Sequence, residues 1–140
     1  MEILLIGIGG ALGSICRYLC YVYTNFLIKS NANNFLTKLI NFFPTSIPVA
    51  TLFVNIFGSM FAGFIYYLTI KHFESFNPQL KQFLFFGFFG GFTTFSAFSV
   101  DFLRLFSAGQ TQMALAYALL SVFLAILAVF FGFYLAKLVL

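Results

Sequence analysis

Between residues 87 and 101 the chain reads Gly-Phe-Phe-Gly-Gly-Phe-Thr-Thr-Phe-Ser-Ala-Phe-Ser-Val-Asp, inside a segment apolar enough to cross a bilayer. Gly90 and Gly91 are adjacent, which weakens a helix. Thr93, Thr94, Ser96 and Ser99 then place four hydroxyls within seven residues. Phe92, Phe95 and Phe98 recur every third residue, a spacing that brings them near one another on a helical surface. Backbone groups freed by a broken helix are tolerated at membrane depth only where protein or a water-filled cavity receives them. The pattern predicts a discontinuous membrane helix broken at Gly90-Gly91. The break would form an ion site, with hydroxyls and aromatic edges lining a path beside it.

Other residues could serve the same path. Thr51, Asn55 and Ser59 stand at i, i+4 and i+8, one stripe of a helix. Tyr117 and Ser121 are also four apart. Hydroxyls from Thr51, Ser96, Tyr117 and Ser121, with the amide of Asn55, are neutral donors that can replace an anion's hydration shell without trapping it. A ring edge carries partial positive charge, so Phe95 and Phe98 can face an anion edge-on. Packing is the ordinary role of such a Phe pair, but the adjoining Gly-Gly and hydroxyls favour the ion path. Asn55 suits a helix-to-helix hydrogen bond as well, and its stripe favours a pore-facing position. Arg17 lies in mid-span, where a guanidinium costs at least about 2.5–3.5 kcal/mol. It reads either as an anchor to carbonyls or headgroups or as an attractor of anions. Carbonyls released at the break are hard oxygens suited to a small cation such as sodium.

These residues need four spans to position them. The chain has 140 residues, 62% hydrophobic and 7% charged, against about 25% charged in a soluble domain. It reads as an all-α integral membrane protein of one domain, 1–140, with spans at about 3–28, 49–70, 82–106 and 113–135. The first apolar segment is too long for a signal peptide, starts with Glu2 rather than a basic region, and contains Arg17. Gly9 and Gly13 form a small-xxx-small pair for close helix approach. Cys16 and Cys20 share a helix face and read as small packing residues. Residues 29–48 are a polar connection in which Phe35, Leu36, Leu39, Ile40, Phe42 and Phe43 suggest a short interfacial helix. His72 and Glu74 fall in a polar loop, and Asp101 and Arg104 are spaced to pair.

The formal charge of +4 is scattered and forms no nucleic-acid footprint. Lys71, Lys81 and Lys137 fall on one side of the membrane and Lys29, Lys38 and Arg104 on the other. Orientation by positive charge requires an imbalance. Its absence predicts insertion both ways and an antiparallel, dual-topology homodimer.

Three stretches together resemble the Fluc (CrcB) family of fluoride channels. They are Gly9-Gly-Ala-Leu-Gly-Ser-Ile-Cys-Arg17-Tyr18, Thr51-Leu-Phe-Val-Asn55-Ile-Phe-Gly58-Ser59, and Gly87 through Ser99. The resemblance covers essentially the whole chain. It implies a dual-topology homodimer with two pores that exports fluoride passively. It also implies a central structural sodium ion held by the backbone carbonyls of Gly90 and Thr93. By motif position the pore phenylalanines are Phe95 and Phe98, the pore asparagine Asn55, the vestibule threonine Thr51 and the helix-one arginine Arg17. Tyr117 and Ser121 are similar to the family's polar-track residues. The chain departs from the pattern at Ala97, where the family usually has Thr, and at Asp101, where it usually has Glu. Its 29–48 connection is also longer.

Two other classes compete. A small dual-topology multidrug exporter has similar size, but needs a membrane-embedded carboxylate to couple protons to a cationic substrate. Span one has none beyond Glu2, and Asp101 falls near a helix end. The other is an intramembrane enzyme or an assembly subunit; a purely structural subunit gives no reason for hydroxyls beside a Gly-Gly pair, and an enzyme needs a base, nucleophile or metal cluster. One loop His, two helix Cys and three carboxylates do not assemble one. The expected product is a fluoride-selective channel rather than an enzyme, with fluoride, sodium and lipid as partners. The expected location is a prokaryotic plasma membrane.

Overall fold

A computed structural model describes residues 1–30, 37–38, 42, 44, 47–72 and 76–140. Helix α1 runs Glu2–Ser30 and α2 runs Val49–Lys71. The third span opens with α3, Pro78–Gln82, continues as a π-helical segment Phe83–Phe89, and then as α4, Gly90–Phe92. After an interruption it resumes as α5, Phe95–Ser107. Helix α6 is Thr111–Val139. Four helical stretches are therefore long and apolar enough to cross a membrane. At 1.5 Å per residue the 29 residues of α1 reach about 43 Å, more than the hydrocarbon core requires.

Local chemistry sets the ends. Proline at position 48 precedes α2, where its fixed φ suits a helix start. Asn77 caps α3: its side chain accepts from the Gln79 N–H at 2.8 Å and the Leu80 N–H at 3.4 Å, with Pro78 at the first helical position. Gly109, with φ at 75°, makes the turn into α6.

In lipid, apolar side chains gain little by meeting each other, so close backbone approach carries the packing. Helix α1 crosses the π-helical segment and α4 through Gly9 and Gly13 on one side and Gly87 and Gly91 on the other. A Cβ on Gly9 would lie 2.6 Å from the Phe83 carbonyl oxygen, and one on Gly87 would lie 2.9 Å from that of Ile6. The Gly9/Gly13 pair therefore serves the third span. Helices α2 and α6 form the other close pair. A buried cluster of Leu27, Ile47, Val49, Leu52, Leu105, Ala114 and Tyr117 lies among α1, α2, α5 and α6. Cys16 and Cys20 are free thiols, and His72 is exposed at the end of α2. The interfacial helix expected from Phe35, Leu36, Leu39, Ile40 and Phe43 lies outside the described residues, as does Glu74; Phe42 is exposed.

The break differs from the expectation. Gly90 and Gly91 are helical, Gly90 with φ −61° and ψ −39°. The chain leaves the helix at Thr93 (φ −78°, ψ 155°) and Thr94 (φ −150°, ψ 117°), both extended. Glycine here serves proximity to α1 rather than flexibility, because a side chain at Gly91 would strike the Gly10 backbone. One consequence is that Phe92 does not join Phe95 and Phe98. It precedes the break and stacks on Phe88, ring centroids 5.9 Å apart and planes at 6°.

Candidate functional site

The break is held open by a side chain from another helix. Asn55 of α2 donates through Nδ2 to the Thr94 carbonyl at 3.1 Å, and its Oδ1 accepts from the Thr94 N–H at 2.8 Å. The amide thus imitates a strand neighbour for one extended residue. Thr94 in turn caps α5, its Oγ1 accepting from the Ala97 N–H at 3.1 Å and contacting Ser96 Oγ at 3.2 Å. Thr93 back-bonds to the Phe89 carbonyl at 2.8 Å, and Ser14 of α1 donates to the Gly91 carbonyl at 3.4 Å.

These substitutions release two carbonyls. In a continuous helix the Thr94 N–H would go to Gly90 and the Ala97 N–H to Thr93. Here those N–H groups go to Asn55 and to the Thr94 side chain. Gly90 is exposed on the face of the single chain and Thr93 is half-buried. Two neutral backbone oxygens beside a helix break are the donor type that suits a small alkali cation. Among the described residues no cluster of His, Cys, Asp or Glu offers another metal site.

Two clefts meet at Thr94. One, of about 220 Å³, is lined by Asn55, Ser59, Thr93, Phe95, Phe98 and Ser121 among others. The Phe95 and Phe98 rings lie 5.2 Å apart, and Phe98 lies 5.4 Å from Tyr117. Phe95 is 76% exposed, so its ring projects from the single chain. Behind Phe98, Tyr117 and Ser121 are buried, with 1% and 6% of their surfaces accessible. Neither the Tyr117 hydroxyl nor Ser121 Oγ has a hydrogen-bond partner within bonding geometry among the described residues. A buried hydroxyl without a partner costs about 1–3 kcal/mol. Two of them on one face mark a place where donors are held ready.

The second cleft, of about 460 Å³, has a polar wall of Arg17, Tyr21, Thr51, Ser96 and Asp101. Thr51 Oγ1 donates to Asp101 Oδ2 at 2.7 Å, and Asp101 Oδ1 pairs with Arg104 at 3.5 Å. Arg17 is half-buried and makes no ion pair with any described residue. It is one of the residues that line the cleft.

The sequence matches the family model described as "CrcB-like protein, Camphor Resistance (CrcB)" over residues 4–133. The chain belongs to the CrcB family. It is similar to the fluoride-specific ion channel FluC of Rhizobium meliloti, 40% identical over 131 residues, covering 94% of this chain and 92% of the relative. The FluC proteins of Flavobacterium psychrophilum and Aquifex aeolicus are 35% and 33% identical, each match covering 94% of both chains. With its four apolar spans, this CrcB-family chain is a multi-pass membrane protein with bacterial relatives.

Within the CrcB framework, Asn55, Thr93, Phe95, Phe98 and Ser121 share the first cleft. Arg17, Thr51 and Ser96 share the second. Tyr117 is sealed between Phe98 and the buried cluster, and Gly90 lines neither cleft. Three participants were not read from the sequence: Tyr21, the Thr51–Asp101 bond, and Thr94 as the residue bound by Asn55. Tyr21 carried a usable signal, since it lies four residues after Arg17 and shares its helix face.

Proposed function

We propose that the chain is a fluoride-selective channel that exports fluoride passively and electrogenically. The observation that carries this reading is the first cleft, where Phe95 and Phe98 border the Asn55 amide and the Ser121 hydroxyl, which has no partner among the described residues. Small neutral donors and positively polarised ring edges suit a compact anion that must be both bound and released. The names of the relatives support the same substrate. Asp101 is engaged by Thr51 and Arg104, which argues against its use as a proton-coupling carboxylate in an exporter.

The working unit is an antiparallel homodimer with two pores. The projecting Phe95 ring and the exposed Gly90 backbone support this, because both are left open by one chain. Sodium fits the carbonyls of Gly90 and Thr93, facing their counterparts across the two-fold axis. When bound it supplies a fixed positive charge. Thr51 and Arg17 form the vestibule, and Ser96, Tyr117 and Ser121 add donors along the path.

The test is anion efflux from liposomes holding the purified protein, loaded with potassium fluoride or potassium chloride and opened to potassium by valinomycin. Rapid fluoride loss with chloride retained is the expected result; absence of fluoride flux from folded protein overturns the reading. Phe98→Ile keeps an apolar side chain of similar bulk but removes the ring edge. It should leave the protein folded and slow fluoride efflux about tenfold. Efflux unchanged from wild type would remove the ring-edge role.

A further inference from the structure

We infer that Tyr21, rather than Thr51, supplies the hydroxyl proton to an anion in the vestibule of this chain. The inference rests on the fluoride reading and follows from counting protons. Thr51 has one O–H. Asp101, ion-paired with Arg104, is a carboxylate and only accepts, so the 2.7 Å contact commits the Thr51 proton to Asp101. The 3.3 Å contact between Tyr21 and Thr51 must then run from the Tyr21 hydroxyl to Thr51 Oγ1. The chain of donors is Tyr21 to Thr51 to Asp101, and Tyr21 stands at its open end.

The two bonds differ in strength. A 2.7 Å bond to a charged acceptor is of the strong class, whereas a neutral hydroxyl pair at 3.3 Å is long and weak. An arriving anion competes easily for the Tyr21 proton and poorly for that of Thr51. Tyr21 lines the same cleft as Arg17, one helical turn away on the same face of α1. Arg17 offers charge that no described residue pairs, and Tyr21 offers a directional donor beside it. Ala97 lines this cleft without a hydroxyl, and Tyr21 adds a donor to it from α1. Thr51 is a positioning residue: it holds Asp101 and presents a lone pair to Tyr21.

The two assignments make opposite predictions. Tyr21→Phe keeps the ring and removes the donor. It should raise the fluoride concentration for half-maximal efflux about tenfold, with little change in the maximal rate. Thr51→Val keeps the shape and leaves the Tyr21 O–H for the anion, so half-saturation should rise well short of the tenfold expected for Tyr21→Phe. The measurement is initial fluoride efflux against internal fluoride concentration, with both variants first matched to wild type by gel-filtration profile. The reverse pattern, an intact Y21F and an impaired T51V, overturns the assignment and returns the donor role to Thr51. Two unimpaired variants overturn it as well. A wild-type protein without fluoride efflux would instead refute the channel reading itself.

Discussion

Asn55→Asp is expected to stop anion passage while leaving the bundle assembled. The carboxylate can still accept from the Thr94 N–H, so one of the two bonds across the break survives. The Nδ2 donor becomes a carboxylate oxygen facing the buried Thr94 carbonyl, a loss of about 1–3 kcal/mol. Transport changes far more. A fixed negative charge would line the cleft beside Phe95 and Phe98. Two like unit charges 4 Å apart repel by about 4 kcal/mol at the effective dielectric of a protein surface, roughly a thousandfold in rate. Fluoride efflux should fall below leak while gel filtration is unchanged. Efflux within about twofold of wild type would restrict Asn55 to bracing the break.

The second large effect concerns stability. Gly13→Ala should lower the thermal midpoint sharply, although alanine is the better helix former by about 1 kcal/mol. A Cβ at Gly13 would strike the Phe88 carbonyl and lie 2.8 Å from the Phe92 nitrogen. Both obstacles are backbone, so neither can rotate away, and overpacking of this kind costs about 3 kcal/mol. Gly7 lies on the same helix with nothing within 4 Å of its Cβ position, so Gly7→Ala should be neutral or stabilising. Thermal loss of the monodisperse peak in detergent measures both. Equal midpoints for the two variants would mean that the crossing tolerates separation.

Much of this architecture was legible because its signals are compositional or periodic. Four apolar spans follow from hydropathy, and the Thr51-Asn55-Ser59 stripe and the Asp101–Arg104 pair follow from helical spacing. The position of the break was not legible, since adjacent glycines signal both a weak helix and a close crossing. Only the three-dimensional neighbour, α1, separates the two meanings. The partner of Asn55 was hidden for a related reason: it is the backbone of Thr94, and backbone has no sequence signature. The π-helical turn at Phe83–Phe89 leaves no trace in a run of phenylalanines. Tyr21 was overlooked beside Arg17 because a tyrosine in an apolar span ordinarily reads as packing.

The bond from Asn55 to Thr94 also bears on how the chain is made. Synthesis runs from the N-terminus, so α2 is finished before the third span leaves the ribosome. A segment carrying an extended residue would meet hydrocarbon with an N–H and a carbonyl unmet, at several kcal/mol each. Here the amide that satisfies both is already in the membrane when Thr94 arrives. The third span thus meets both helices its geometry needs, α1 for the glycine crossing and α2 for the Thr94 backbone, already made.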